Sequence, residues 1–226
     1  MSCTGSIQGC HDVGPAAVTP RLRLEWLGPR HAEAAHAAIC ASQRELAAWL
    51  PWARPAPSFA QTARFCREAE ALRAEVLDYR LAIVLQPGAE FVGIVSWRVS
   101  WQRDAVLNEV GYWLCSDYRA RGLMTEALRC VLSTWLAPRR GRVVFLTTDA
   151  QNRPSRRVAL RSGLSFARAF QPEQGEPPRL KCLYLQPGGI GPAGAAASDA
   201  TQQMCIRAAL ARVPTRERPR RADTRL

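Results

Sequence analysis

The spacing of apolar and polar residues changes several times along this 226-residue chain, and each change marks an element. Arg21 to Leu27 alternates polar and apolar, the period of a strand with one buried face. Pro29 opens a helix from about Arg30 to Trp49, with Ala34, Ala37, Ala38, Ile39, Leu46 and Leu50 available for one face. Ser58-x-x-Gln61 is a capping box and predicts a second helix to about Glu75. Tyr79 to Leu85 and Phe91 to Trp101 read as strands of one hairpin, joined through the Pro87-Gly88 turn, with a bulge expected at Gly93. Leu107, Val110, Tyr112, Trp113 and Leu114 make an apolar strand over 107–114. Beyond a break at Cys115 to Tyr118, Leu123, Ala127, Leu128, Val131, Leu132 and Trp135 recur at helical spacing. Arg142 to Thr148 is a further strand, Ser155 to Arg161 a helix that Gly163 ends, and Leu164 to Phe170 and Leu180 to Leu185 are the last strands. These elements form one domain over residues 20–186. Residues 1–19 are expected to be an unstructured leader, and the Gly/Ala-rich then Arg-rich residues 187–226 a disordered basic tail.

Composition narrows the classes. Hydrophobic residues make up 47% of the chain, as in globular domains. The net charge is +12, and residues 20–186 carry 24 basic against 15 acidic residues, so the folded part itself is basic. That suits a polyanionic ligand or a ribosomal setting. Of the basic residues only Lys181 is a lysine, a bias better assigned to coding composition than to function. The eight cysteines form no C-x-x-C pair, which argues against a zinc site or a disulfide framework. No 18-residue apolar run and no signal-peptide pattern is present, so a cytoplasmic location without membrane attachment is expected. His31 and His36 have no acidic or nucleophilic partner nearby in sequence and read as structural.

The stretch Asn108 to Leu128 carries the chemistry: a strand, the basic turn Arg119-Ala120-Arg121-Gly122, and a helix start with Thr125 and Glu126 in its first turn. The first amides of a helix have no internal partners, and the helix dipole favours negative charge there. Gly122 has no Cβ to hold a ligand off the backbone, and Arg119 and Arg121 add charge-assisted hydrogen bonds. The turn is built to hold phosphates. Within the strand, Glu109 shares a face with Leu107, Gly111 and Trp113. A carboxylate on an apolar strand either pairs with an arginine or serves as a base whose pKa burial has raised. Asn152 is placed to cap the helix after it.

Arg119-Ala120-Arg121-Gly122-Leu123-Met124 resembles the acyl-CoA pyrophosphate loop of the GNAT acetyltransferases, Gln/Arg-x-x-Gly-x-Gly/Ala, with Arg119 and Gly122 matching. Met124 followed by Thr-Glu-Ala, and Leu50-Pro51-Trp52-Ala53, are similar to the ribosomal-protein N-terminal acetyltransferase branch, the RimJ/RimL type; Ala120 stands where that branch often has Gly. Asn152-x-x-Ser155 followed by a basic helix and Ser162-Gly163 resembles the GNAT segment that contacts the pantetheine arm, with Leu164 in place of the common Phe. The resemblance covers about residues 20–186 and implies an α+β fold: a mixed, mostly antiparallel seven-stranded sheet flanked by helices and splayed between strands 107–114 and 142–148. It implies acetyl-CoA as co-substrate, held by Trp113, Leu114, Arg119, Ala120, Arg121, Gly122, Leu123, Met124, Thr125, Asn152 and Ser155, and no metal. It implies direct attack of a primary amine in a ternary complex, with Glu109 as base and Ser155 assisting the thiolate. Protein N-termini are the first expected acceptors, with residues 45–60 and 170–180 setting specificity. Antibiotic or polyamine amines are the alternative, and a non-catalytic acyl-CoA- or RNA-binding protein a further one. Ribosome association, and a monomer or a homodimer, stay open.

Overall fold

The computed structural model describes residues 16–102, 105–138, 141–172, 179–187 and 198–210. The alternating segments pair into one sheet of eight strands: β1 (Ala17–Val18), β2 (Leu22–Trp26), β3 (Asp78–Leu85), β4 (Phe91–Gln102), β5 (Ala105–Leu114), β6 (Arg142–Asp149), β7 (Ser165–Phe170) and β8 (Lys181–Leu185). Their order is β1-β2-β3-β4-β5-β6-β8-β7, antiparallel throughout except for the parallel pair β5–β6. The strand beyond the seven expected is β1, which falls in the supposed leader and pairs Ala17 with Leu24. Residues 1–15 of that leader lie outside the described residues.

Among the described residues, six α-helices accompany this sheet: α1 (Ala32–Ala41), α2 (Gln43–Ala47), α3 (Phe59–Ala74), α4 (Leu123–Thr134), α5 (Arg153–Arg161) and α6 (Asp199–Leu210). The single helix expected over 30–49 is broken at Ser42, which is buried and whose hydroxyl accepts the Ser116 amide at 3.0 Å. The break thereby ties α2 to the turn that ends β5. The capping box holds: Ser58 Oγ accepts the Gln61 amide, and Gln61 Oε1 accepts the Ser58 amide. α5 begins two residues earlier than expected, because Asn152 caps it and Pro154 occupies its first turn.

α4 turns Leu123, Met124, Ala127, Leu128, Val131 and Leu132 onto one face of the sheet, against Val110, Val144, Leu146 and Tyr184. The opposite face is divided. α1 and α3 cover Ala82, Val84 and Ile94, whereas α6 covers Leu107, Phe145, Leu183 and Leu185 with Cys205 and Ile206. Here the expectation of a disordered tail is corrected for residues 199–210. Without α6 those four apolar side chains would face water, and burying them favours the helix by about 25 cal/mol per Å². Residues 188–197 and the Arg-rich 211–226 lie outside the described residues.

Two local features shape the centre of the sheet. The β3–β4 register shifts between Ile83 and Val84, one residue from the expected bulge at Gly93. A Cβ on Gly93 would lie 2.3 Å from the Trp113 carbonyl oxygen, so only glycine lets β4 and β5 approach there. β5 and β6 pair from Val106↔Arg142 to Glu109↔Phe145 and then part, although both strands continue. This is the expected splay.

Candidate active site

The parted strands open into a cleft of ≈ 960 Å³. Its walls come from β5, β6, the turn before α4, the start of α5, and α2. Of the residues expected to hold the co-substrate, Trp113, Leu114, Arg119, Ala120, Gly122, Leu123, Met124, Thr125, Asn152 and Ser155 all line it. Arg121 does not; its guanidinium lies 5.2 Å from the centre of the Tyr118 ring.

Gly122 is the N-cap of α4, with φ +78. That left-handed conformation suits a residue without Cβ and turns the first amides of α4 outward. Ala120, at φ +61, takes a conformation that costs a side-chain-bearing residue on the order of 1–2 kcal/mol, which explains why glycine is common there. The turn is braced from outside. Arg21 donates to the Arg121 carbonyl at 3.0 Å and pairs with Glu126 at 2.6 Å. Thr19 and the Arg21 amide donate to the same carboxylate, at 2.6 and 3.0 Å. Burial pushes the Glu126 carboxyl upward, but these bonds outweigh it and hold the group below the usual range. Arg119, Arg157, Arg161 and Lys181 line the cleft against the acidic Glu45 and Asp149. An excess of cations beside free helix amides fits a diphosphate.

Glu109 stands where the two strands begin to part. It is not among the residues lining the cleft, but Thr147 is, and Thr147 Oγ1 donates to Glu109 Oε1 at 3.5 Å. The Glu109 side chain is 23% exposed, and Arg98 on the adjacent strand approaches it only to 3.8 Å. Burial pushes its carboxyl above the ordinary range, and Arg98 and Thr147 oppose that weakly. Part of the burial comes from α6, whose Cys205 is close enough for the Glu109 charge to act on its thiol.

Ser155 and Asn152 come from the start of α5. Asn152 Oδ1 accepts the Ser155 amide at 3.2 Å, so Asn152 caps the helix, and its side-chain NH₂ remains to donate elsewhere. Sequence reasoning missed the partner of Ser155. Tyr112 Oη donates to the Ser155 carbonyl at 3.0 Å and lies 3.1 Å from its hydroxyl oxygen. Burial raises the Tyr112 phenol, so it stays protonated. Tyr112 looked like one more aromatic in an apolar strand. The available signal was its even position in β5, on the opposite face from Glu109. His31 and His36 stand away from the cleft; the expectation that neither has an acidic partner nearby in sequence is corrected for His31, which bonds Glu25 six residues upstream and accepts the Gly28 amide, while His36 lies beside Thr62.

Helix-start amides at Gly122, a parted parallel pair and a half-buried carboxylate at its fork are thus brought together by the fold. The family described as "Acetyltransferase (GNAT) domain" matches residues 21–165, more than half of the chain. The chain belongs to the GNAT acetyltransferases. As a GNAT enzyme it transfers acetyl from acetyl-CoA. The ribosomal-protein-serine acetyltransferase of Escherichia coli (strain K12) is 24% identical over 153 residues, covering 65% of this chain and 80% of that protein. The structure of RimL, a ribosomal L7/L12 alpha-N-protein acetyltransferase, in complex with coenzyme A superposes with TM-score 0.68 at 19% identity, covering 76% of this chain and 97% of that one. The Microcin C7 self-immunity acetyltransferase MccE, in complex with acetyl-CoA and AMP, superposes with TM-score 0.65 at 15% identity, covering 74% and 93%. Among the described residues of this acetyltransferase, no helix is long and apolar enough to cross a membrane, and no group of three or more His, Cys, Asp or Glu is arranged to hold a metal.

Proposed function

We propose that this acetyltransferase acts on protein N-terminal amino groups, by direct attack of the amine in a ternary complex. The observation that carries the proposal is the fork between β5 and β6. Glu109 and Thr147 stand on one face of the sheet there, and the Ser155–Tyr112 pair on the other. An amine between them has a proton acceptor on one side and a proton donor on the other.

The chemistry follows from those positions. Acetyl-CoA supplies the acetyl group as a thioester. Glu109, held above the ordinary carboxylate range by burial, takes one proton from the entering ammonium, directly or through water. The freed nitrogen bonds to the carbonyl carbon, the carbon–sulfur bond breaks, and the Ser155 hydroxyl gives its proton to the departing sulfur while it takes back the second proton that the nitrogen sheds as the amide forms. Tyr112, fixed at 3.1 Å, orients that hydroxyl. The Gly122, Leu123 and Met124 amides with Arg119 hold the diphosphate, and the Asn152 NH₂ is available to the pantetheine arm. Trp49, Leu50 and Trp113 form an apolar wall on the acceptor side of the cleft, backed by Trp52, whose ring centre lies 6.3 Å from that of Trp113. Such a wall accommodates a peptide side chain. The names of the E. coli relative and of RimL support a protein N-terminus as acceptor, and the reading places the enzyme in the cytoplasm.

Thiol release from acetyl-CoA, measured with a panel of N-terminal peptides, polyamines and aminoglycosides, tests the proposal. Turnover with peptides and none with the small amines is expected. The reverse pattern refutes the peptide reading, and tight acetyl-CoA binding without turnover of any amine refutes the catalytic roles.

A further inference from the structure

Part of the cleft wall comes from α2 and the residues after it, and that wall changes character from floor to rim. Helical hydrogen bonding runs on past α2 to Leu50, whose amide donates to the Leu46 carbonyl at 2.8 Å. Side chains four apart are therefore neighbours, which gives two rows: Leu46 with Leu50, and Glu45 with Trp49. All four line the cleft, and Leu46 is buried while Glu45 is exposed. The leucine row is the floor, and the Glu45–Trp49 row is the rim. Trp113 belongs to the face of β5 that carries Glu109 and packs beside the α1–α3 cluster, so this is the acceptor side. Trp52 extends the indole surface outward; it is 45% exposed, with its ring centre 6.3 Å from that of Trp113.

Glu45 is the unpaired acid of the cleft. Among the described residues that line it, Glu45 and Asp149 are the acidic ones, and Asp149 has the Arg179 guanidinium at 3.7 Å. The Glu45 side chain has no ion-pair or hydrogen-bond partner among the described residues. Two arginines do reach the end of α2, but both are engaged with backbone there: Arg54 donates to the Ala47 carbonyl, and Arg179 to the Ala48 carbonyl at 3.0 Å. The cations that line the cleft come from elsewhere: Arg119 from the turn before α4, Arg157 and Arg161 from α5, and Lys181 from β8. None of them belongs to the α2 wall.

An accessible carboxylate beside indole rings selects one class of ligand. The ring faces attract an organic cation, the carboxylate adds its charge, and an aliphatic stem can lie along the leucine floor. The reacting amine is not that cation, because it gives up its proton at the fork. We infer that Glu45 and Trp49, with Trp113 and Trp52, form a subsite for a second positive charge on the acceptor: in a peptide, the side chain of a Lys or Arg that follows the first residue. This rests on the proposed transfer to protein N-termini and adds a preference beyond the residue that is acetylated. Glu45 stands on the rim rather than the floor, which suits a group farther along the acceptor than the amine itself. A polyamine carries the same chemistry and forms a separate arm of the test.

The test is steady-state kinetics on peptides that carry Lys, norleucine or Glu at the second residue, with a matching set at the third. The wild type should prefer Lys to norleucine by about three- to thirtyfold in kcat/KM at one of the two positions, mostly through the acceptor KM, and the ratio should shrink as salt is raised. Glu45→Gln should lower that ratio at least about twofold, and Trp49→Leu should lower it as well. Glu45→Lys should invert the order, so that the Glu peptide becomes a better substrate than the Lys peptide. A merely structural role for Glu45 does not produce inversion. Acetyl-CoA binding by calorimetry reports that each variant is folded, and if Trp49→Leu is not, the two variants at the exposed Glu45 decide. A wild type indifferent to the residue at both positions, or a Lys preference that survives Glu45→Lys, overturns the inference alone. Turnover of spermidine without turnover of any peptide overturns the N-terminal reading instead; the subsite then stands if Glu45→Lys lowers kcat/KM for spermidine at least about tenfold, and falls if it does not. A wild type that acetylates neither overturns both.

Discussion

Replacing Glu109 with glutamine separates a base from a structural ion pair, because the two roles predict opposite changes in stability. The contacts that Glu109 makes are loose: 3.5 Å to Thr147 and 3.8 Å to an Arg98 that is 46% exposed. An exposed pair of this kind contributes about 0–1 kcal/mol. Burial beneath the sheet and α6 pulls the other way and raises the carboxyl pKa. When the folded pKa lies above the unfolded one, the group's contribution is fully present below the unfolded pKa and is lost as pH rises through the folded value. The charged form of Glu109 is therefore partly desolvated, at a cost of about 1.4 kcal/mol for each pKa unit of the shift. Glu109→Gln keeps the volume and removes that cost. Its Tm at pH 7 should exceed that of the wild type, by about 2–4 °C for each kcal/mol recovered, and the difference should close near pH 4. Activity should move the other way. A positioned general base contributes roughly 10²–10⁴-fold, so kcat should fall by at least about 100-fold while acetyl-CoA affinity holds. The acidic limb of the wild-type pH–kcat/KM profile, set above the ordinary carboxylate range, should be absent from the variant. The same limb in Glu109→Gln, or a lower Tm at pH 7, would refute the assignment.

Further outcomes are expected from the same structure. Gly122→Val forces a β-branched residue to φ +78 beside the α4 amides; calorimetry should show acetyl-CoA affinity reduced at least about tenfold, and unchanged binding would reject the cradle. Glu126→Gln weakens the brace from Thr19 and Arg21 and should cost about 1–3 kcal/mol in urea unfolding at pH 7. The folded pKa of Glu126 is lowered, so its contribution is present above the unfolded value and is lost as pH falls through the folded one; the gap between wild type and variant should narrow below about pH 4. Ile206→Ala opens the contact of α6 with the sheet and should destabilise by about 2–5 kcal/mol in the same assay.

The features read correctly from the chain are those whose cause is local. The capping box at Ser58 and Gln61 satisfies its own backbone groups within a few residues, and the alternation of β2 marks its buried face whatever strand it pairs with. The basic turn that opens α4 was legible for the same reason, since a glycine, two arginines and a helix start are neighbours in sequence. The fork between β5 and β6 was legible through family likeness rather than through periodicity, because nothing within either strand says where its partner departs.

What depended on distant partners could not be read. Ser42 breaks a helix of good formers because an amide 74 positions later needs its hydroxyl. Cys205 and Ile206 sit in a segment too polar to bury itself, and they become core only against Leu107, Phe145 and Leu183. Tyr112 and Ser155, which meet on the other face of the fork, are separated by 43 positions. Asp149 looks like an ordinary turn residue until β8 and Arg179 surround it and leave one of its oxygens without a donor. Backbone geometry and capping are short-range and leave their mark in the order of residues. Desolvation depends on which side chains arrive from elsewhere in the chain, and it is desolvation that raises the proton affinity of Glu109.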